Sequence, residues 1–561
     1  MLRFDHLLKL QLLFWFGWIL SAVLFSCLVT GWLLDCFSKK EAFSDTASHS
    51  PNRLVSSQFR SSPAFILTSA LLLIVTFFSR YWLSGFMLGP WFFGDEALEA
   101  CIVPFQLSQG ESIWGGNTFF LVNSIYLLAY RVFGFSSAVA RVTNISFFAA
   151  AVVSLYWALN RPFGKKVAWF VVGMMFLSSP FILHSIYATS ITFCLLPAAI
   201  ILYVLARPLT QASAALLGVA LLAGLFLYPA AFLTGICLIF FHAIAFYRSW
   251  TWKTRSVSLV AFVLAGGLAY EIRLLVTGNP NWTRWGGGEL SFEQIGQHSM
   301  VVLKDTFWES LSFNSLNFRA PYFDTAMFGF LVIGVGSSFI FSKSRPSMFD
   351  RKWIWISLLS FFGSVGLSAL ALHNPGIRRI LSSVPLLFLI AGLGIKYCWQ
   401  WKAFRPLVGG AIIVCFGLVA LRSYAIGKRS WPLSGDSDFM RAAGRTLLQN
   451  TNSRKNVVII AYNSDQWGGQ LYRCALSLDG KLNRRFQSVI VIPRSGLSQK
   501  QDLQGEFFLL ANELFSEKEL EGIFGYPPAS AKIRKLSKLP QHDQLLAIYD
   551  FTENSVRQHE K

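Results

Sequence analysis

Charge is what this chain lacks. Only 14% of its 561 residues are Asp, Glu, Lys or Arg, against about a quarter in an average soluble protein. A water-dissolved enzyme of this size needs more charged surface than that, so the soluble class is excluded. Acidic residues are the scarcer sign, 29 against 49 basic ones. Such an excess on a soluble protein points to nucleic acid; on a membrane protein it is the Lys and Arg that collect in cytoplasmic loops. The eight cysteines are scattered, with no CxxC pair and no His/Cys cluster, so neither a zinc site nor a disulfide framework is signalled. Apolar residues, by contrast, make up 54% of the chain and include 53 phenylalanines. That content excludes disorder and leaves a multi-spanning membrane protein that binds no nucleic acid.

Apolar runs of bilayer-crossing length fall at 12–34, 64–84, 142–160, 167–184, 191–206, 212–227, 229–247, 256–276, 324–342, 353–372, 380–395 and 406–423, twelve in all. The run 118–135 is also apolar, but orientation argues that it lies along the membrane surface. With 35–63, 161–166, 207–211, 248–255, 343–352 and 396–405 in the cytoplasm, those segments hold 18 basic residues in 68 positions. The segments 85–141, 185–190, 277–323 and 373–379 hold 7 in 117. Counting 118–135 as a span would invert this asymmetry in every later loop. The run 12–34 has the length of a signal peptide, yet cleavage there would reverse the same pattern. It is expected to stay as an additional span with its N-terminus outside.

Three regions follow: residues 1–63, an extra span and cytoplasmic linker; 64–423, the main membrane domain; and 424–561, where spanning segments cease. The last region reads as alternating elements: a helix at about 438–450, a strand-like Val457–Tyr462, further short apolar runs at Ser488–Ile492 and Phe507–Ala511, and a last strand at Leu545–Phe551. Ser516 and Glu519 have the spacing of a capping box. The fold class is thus an all-α polytopic bundle with a small C-terminal α/β domain on the non-cytoplasmic side. That domain shows no Gly-rich phosphate loop, so scaffolding or acceptor contact is expected of it rather than chemistry.

Two outer segments hold residues suited to chemistry. Residues 89–116 place Asp95, Glu96 and Glu99 just beyond the second span, with Asp95 and Glu99 on one helical face. Beside Trp91, Phe92 and Phe93 a carboxylate is partly desolvated, which moves it toward a useful base; a capped amphipathic helix with solvated acids fits the same residues. The short segment His373–Arg379 sets Arg378 and Arg379 outside, where positive charge is otherwise depleted. Arginine binds phosphate bidentately, so a lipid-phosphate pocket and an anchor on anionic headgroups are both open. Arg141 and Arg273, at outer helix ends, fit snorkelling. The segment 277–323, with Trp282, Trp285, Trp308 and Gly286 to Gly288, suits an interfacial belt or a lid. Asn144 and Asn281 match glycosylation acceptors, a pattern common by chance.

In this order, the features resemble the C-type (GT-C) membrane glycosyltransferases, the group of protein O-mannosyltransferases and the aminoarabinose transferases of lipid A. GDEALEA is similar to that family's acidic motif in the first outer loop. RVFGFSSAVARVTNISFFAAAVVSLYWALNRPFGKKVAWFVVGMMFLSSPFILHS resembles its peripheral helix, basic hairpin and Pro-bearing helix end. GLFLYPAAFLTGICL, FRAPYFDTAMFGFLVIGVG and HNPGIRRILSSVPLLFLIAGLGI resemble later elements, the last an Arg-bearing outer loop. The resemblance spans about 64–423. It implies a polyprenyl-phosphate sugar donor, an acceptor hydroxyl or amine, and inverting transfer on the non-cytoplasmic face of a bacterial inner membrane. Asp95 would be the general base and Glu96 its helper; Arg378, Arg379 and, more weakly, Arg141 would hold the leaving phosphate. Fixed arginines can stabilise that charge, so no obligatory metal or other cofactor is expected. A second acid that some relatives carry near the fifth span is missing from SIYATSITF, and a Gly-Gly-Asn stretch at 115–117 replaces a Pro-Pro-like helix start. These departures leave sugar and acceptor open. A flippase for a lipid-linked sugar and a non-catalytic scaffold are the competing readings.

Overall fold

The computed structural model describes residues 63–88, 100, 120–134, 136–247, 250–277, 291–308, 321–339, 347–369, 377–430, 456–461, 489–493, 506–511, 514–535 and 545–551. The helices are α1 (Pro63–Leu88), α2 (Phe120–Phe133), α3 (Ser137–Phe163), α4 (Lys165–Leu177), α5 (Ser179–Ile186), α6 (Leu195–Leu205), α7 (Gln211–Leu227), α8 (Pro229–Ala245), α9 (Trp252–Thr277), α10 (Phe292–Phe307), α11 (Phe328–Ser337), α12 (Met348–Ala369), α13 (Val384–Gln400) and α14 (Arg405–Ser430). Short 3₁₀ turns at Ser190–Cys194, Thr325–Met327 and Ile377–Ser383 lead into α6, α11 and α13.

Over its described residues each predicted span from 64–84 onward is largely helical; residues 340–342 and 370–372, the span 12–34 and the helix at 438–450 lie outside the described residues. Among the described residues, five helices are long and apolar enough to cross a bilayer, six if the bent pair α4–α5 is one span, and α6, α7, α8 and α11 belong to shorter apolar helices. At about 1.5 Å per residue, α2 reaches only about 21 Å, short of the roughly 30 Å hydrocarbon core. It belongs with the shorter apolar helices.

Local chemistry explains the boundaries. Ser136 caps α3 by accepting from the Val139 N–H at 3.2 Å. Thr210 with Ser213 and Ser291 with Gln294 form reciprocal capping boxes at α7 and α10. Proline opens α8 and α13, where its missing N–H costs nothing. Gly164, at φ +96°, turns the chain between α3 and α4, a backbone region open to glycine. Where α11 crosses α13, a Cβ on Gly334 would sit 2.3 Å from the Ile390 carbonyl oxygen, and one on Gly394 2.6 Å from that of Phe330. Contact this close between helix backbones replaces the hydrophobic drive that lipid does not supply.

The bundle has two distinct ends. At one, Phe163 meets Phe349 and Trp353, and basic side chains gather. Lys166 lies over Trp399 at 4.1 Å, Lys352 donates to the Ala245 carbonyl at the end of α8, and Lys396 pairs with Asp350 at 2.8 Å. At the other end Phe388 meets Phe181 and Phe323, and arginines and neutral hydrogen-bonding groups take the place of lysines.

The C-terminal region forms a five-stranded sheet, β2-β1-β3-β5-β4, from β1 (Asn456–Ala461), β2 (Val489–Pro493), β3 (Phe507–Ala511), β4 (Ser530–Lys535) and β5 (Leu545–Phe551). The first three strands are parallel, and β5 is antiparallel to β3 and β4. The parallel strands are almost wholly apolar, as two-sided burial demands. The edge strand β4, SAKIRK, carries the lysines that blunt edge pairing. Helix α15 (Glu517–Phe524) covers the sheet with Leu520 and Phe524. Its Ser516–Glu519 capping box forms as predicted, and Gly525 ends it in the left-handed conformation.

Candidate functional site

Asp95, Glu96 and Glu99 lie outside the described residues, as do Asn281, Trp282, Trp285 and Gly286 to Gly288. From the first outer segment only Ala100 is described. It is buried, and its carbonyl accepts from the Tyr130 hydroxyl. That bond ties the acidic segment to α2, whose Tyr126 is itself buried against Phe193 in the turn before α6.

Arg378 and Arg379 stand in the 3₁₀ turn Ile377–Ser383 that opens α13; their side chains lie outside the description. The turn itself is anchored. Ser383 donates to the Ile380 carbonyl at 2.7 Å, and Ser382 shares a 2.9 Å hydrogen bond with Thr234 of α8. Thr234 also receives a longer contact, 3.5 Å, from Ser364 of α12. Helix α8, itself met by α12 through Ser364, thus holds the turn that carries the arginine pair. Arg141, expected to snorkel at an outer helix end, is instead 3% exposed within the second turn of α3; the protein covers its whole side chain. Arg273 is in α9, with its side chain outside the description. Trp308 ends α10 and is exposed, as an interfacial tryptophan would be.

Asn144 is a chance match to the glycosylation pattern. A glycosylation acceptor must present its amide nitrogen at the surface, yet Asn144 is fully buried. Its Nδ2 donates to the carbonyls of His184, Ser185 and Tyr187 at 2.9, 3.0 and 3.0 Å. Irregular backbone between α5 and α6 leaves those acceptors without a regular helical ladder, and one amide satisfies them together. Thr192 donates to the same His184 carbonyl.

This turn carries a pair that sequence reasoning missed. His184 Nε2 lies 2.8 Å from the Tyr322 hydroxyl, and both side chains are buried. An imidazole and a phenol so placed form a fixed donor–acceptor couple able to hold a proton between them. Their separation of 138 residues offered no local signal, and a lone His in an apolar run reads as core. Two residues on, Asp324 caps the turn Thr325–Met327 through the Ala326 N–H at 2.9 Å and pairs with Arg422 of α14 at 3.3 Å. No group of three His, Cys, Asp or Glu side chains among the described residues could hold a metal ion.

One end of the bundle therefore gathers the arginine-bearing turn, the Asn144 and His184–Tyr322 network, and the anchor point of the acidic segment on α2. The opposite end holds the lysines.

No protein-family model matches the chain, and no curated protein matches it. Among solved structures it is similar to ArnT from Cupriavidus metallidurans bound to undecaprenyl phosphate, at TM-score 0.47 and 13% identity over 87% of this chain and 98% of that one. It is similar to the arabinofuranosyltransferase AftD from mycobacteria at TM-score 0.44 and 14% identity, over 86% of this chain and 40% of that one. It is also similar to the archaeal oligosaccharyltransferase AglB from Archaeoglobus fulgidus, in complex with an inhibitory peptide and a dolichol-phosphate. There the TM-score is 0.44 and the identity 13%, over 74% and 64% of the two chains.

Proposed function

We propose that this chain is a membrane glycosyltransferase that moves a sugar from a polyprenyl-phosphate donor to an acceptor hydroxyl or amine on the non-cytoplasmic face. The observation that carries the proposal is the division of the bundle into a lysine-bearing end and an opposite end of arginine-bearing turn and neutral hydrogen-bonding groups. The positive-inside rule assigns the lysine end to the cytoplasm, so the other end faces out, where the resemblance puts the chemistry.

In this reading Asp95 takes the acceptor proton as that group attacks the anomeric carbon. The bond from the anomeric carbon to the lipid phosphate breaks on the opposite face, inverting the configuration. Glu96 orients the acceptor or Asp95. Negative charge grows on the departing phosphate, and Arg378 and Arg379 meet it from their anchored turn. Arg141, removed from water by burial in α3, adds to that field, because charge is screened less there. Preorganised cations of this kind lower the barrier because they need not reorient during the reaction.

The test is transfer from a radiolabelled polyprenyl-phosphate sugar by the purified full-length protein. Parent protein should transfer label, and Asp95→Asn should lose transfer while still binding donor. Equal rates for the two would refute the base assignment. Movement of donor across vesicle membranes without transfer would identify a flippase instead.

A further inference from the structure

The break between α4 and α5 bends the span by 67°; the chain turns extended at Ser178 (ψ 128°), just ahead of Pro180, whose ring and missing N–H forbid a helix continuing through it. An α-helical carbonyl at position 176 is normally met by the N–H of residue 180, and proline has none. A carbonyl left without a donor inside a membrane-spanning bundle is strongly unfavourable, because no water is there to replace the lost hydrogen bond. Phe176 is not orphaned: the Arg80 guanidinium donates to its carbonyl through Nη2. The neighbouring Leu177 carbonyl accepts from the Ser423 hydroxyl at 2.7 Å. Both donors come from other helices, Arg80 from α1 and Ser423 from α14. These are the two least enclosed candidate spans, 22% and 17% buried.

Arg80 itself is 1% exposed. A cation buried within a span needs compensation and is a functional candidate by default. The aromatic faces of Phe148 and Phe176, 5.6 and 4.7 Å from its guanidinium carbon, supply part of it. Its Nε makes no hydrogen bond. No acidic partner among the described residues accounts for the burial; the bent backbone does. What the residue joins is informative. Helix α1 is the element after which Asp95 and Glu96 follow in sequence, and α5 carries His184.

We infer that Arg80 is a positioning residue, supplying the hydrogen bond that Pro180 cannot and so locking α1, which leads to Asp95, onto the bent span that carries the His184–Tyr322 pair. Its catalytic consequence rests on the proposed glycosyltransferase activity; its structural role does not.

Two measurements on the full-length protein test it. The first is a double-variant cycle in melting temperature. Ala at position 180 restores the missing N–H, so R80M should lower the melting temperature less in the P180A background than in the parent. Simple addition of the two losses, expected of uncoupled sites, would overturn the inference. If R80M alone does not fold, recovery of folded protein on adding P180A supports the strut, and failure to recover overturns it. The second is steady-state transfer. R80M should reduce kcat about tenfold or more, since small misplacements near the chemistry cost up to about 100-fold, with KM within about twofold. R80K, which keeps a donor of similar reach, should restore most of the rate. Unchanged kcat in R80M where D95N abolishes transfer would sink this inference alone, as would R80K behaving like R80M. A parent without transferase activity would sink the proposed function, leaving the melting cycle to decide the strut.

Discussion

The two ends of the helical bundle solve different problems. At the lysine end each cation reaches from a helix terminus to something that tolerates charge: an aromatic face for Lys166, a helix-final carbonyl for Lys352, a carboxylate for Lys396. These contacts tie neighbouring helix ends where regular structure stops at the membrane boundary. At the opposite end the backbone is irregular inside the bundle, at the α4–α5 break and through Ser190–Cys194; the Arg80 guanidinium and Ser423 serve the break, and neutral side chains serve the rest. Asn144 serves three carbonyls, Thr192 one, and Ser382 and Thr234 each other. Non-helical backbone at membrane depth is tolerated only where protein encloses it or a cavity needs it. The contrast marks which end was shaped for something other than anchoring.

The comparison can be broken most severely at Asp95. D95N should lower kcat by about 100-fold or more, the contribution of a positioned general base, and leave the melting temperature unchanged. A loss of stability equal to the loss of rate would make the acid structural and the two ends equivalent. G334V tests the packing that both ends share. Its side chain would collide with the Ile390 carbonyl, and separation of α11 from α13 should cost about 3 kcal/mol or more, in the range of severe core substitutions, read as a fall in the unfolding midpoint.

At the polar end, N144L removes the amide that serves the Ser185 carbonyl, while Thr192 and the Thr189 N–H still meet those of His184 and Tyr187; a buried acceptor left unserved costs about 1–3 kcal/mol. Unfolding should show a loss of that size, with transfer falling further than stability explains. At the lysine end, K396M leaves Asp350 buried without its cation, a loss of about 2–3 kcal/mol by analogy with broken buried pairs. Transfer per folded molecule should be unchanged. If K396M harms turnover as N144L does, the division of labour between the ends fails.

The smallest effect lies in the C-terminal domain. Hydrogen bonds from Ser516 hold the Glu519 carboxyl below its ordinary value. A carboxylate with a depressed folded-state value contributes stability above its unfolded value and loses it as pH falls through the folded one. Acid unfolding of this domain should therefore lose part of its pH dependence on the acid side of the usual Glu range in S516A, which also removes a cap worth about 1 kcal/mol. An unchanged acid profile would show that the capping box carries no linkage.

What was legible in the sequence was what depends on neighbours a few positions apart. Spans follow from the length of an apolar run, so the predicted segments from 64–84 onward are largely helical over their described residues. Strands β1 and β5 and the Ser516–Glu519 box follow from local pattern, and β2 and β3 fall on short apolar runs that local pattern marked without assigning them as strands. The strand β4 was missed because its lysines and arginine read as surface, which on an edge strand they are. The anchored position of Arg378 and Arg379 was half legible: their place before a Pro-bearing span could be read, but not the Ser382–Thr234 bond that holds their turn.

The sequence alone settled that this is a membrane protein, roughly where its helices run, and which short segments concentrate acids and arginines, because hydropathy and charge are summed along the chain. Only tertiary structure decided that Asn144 serves backbone rather than a glycan, that His184 meets Tyr322, and that Arg80 completes a carbonyl 96 residues away. A buried polar group is stabilised by whichever atom happens to face it, and in a bundle that atom comes from another helix.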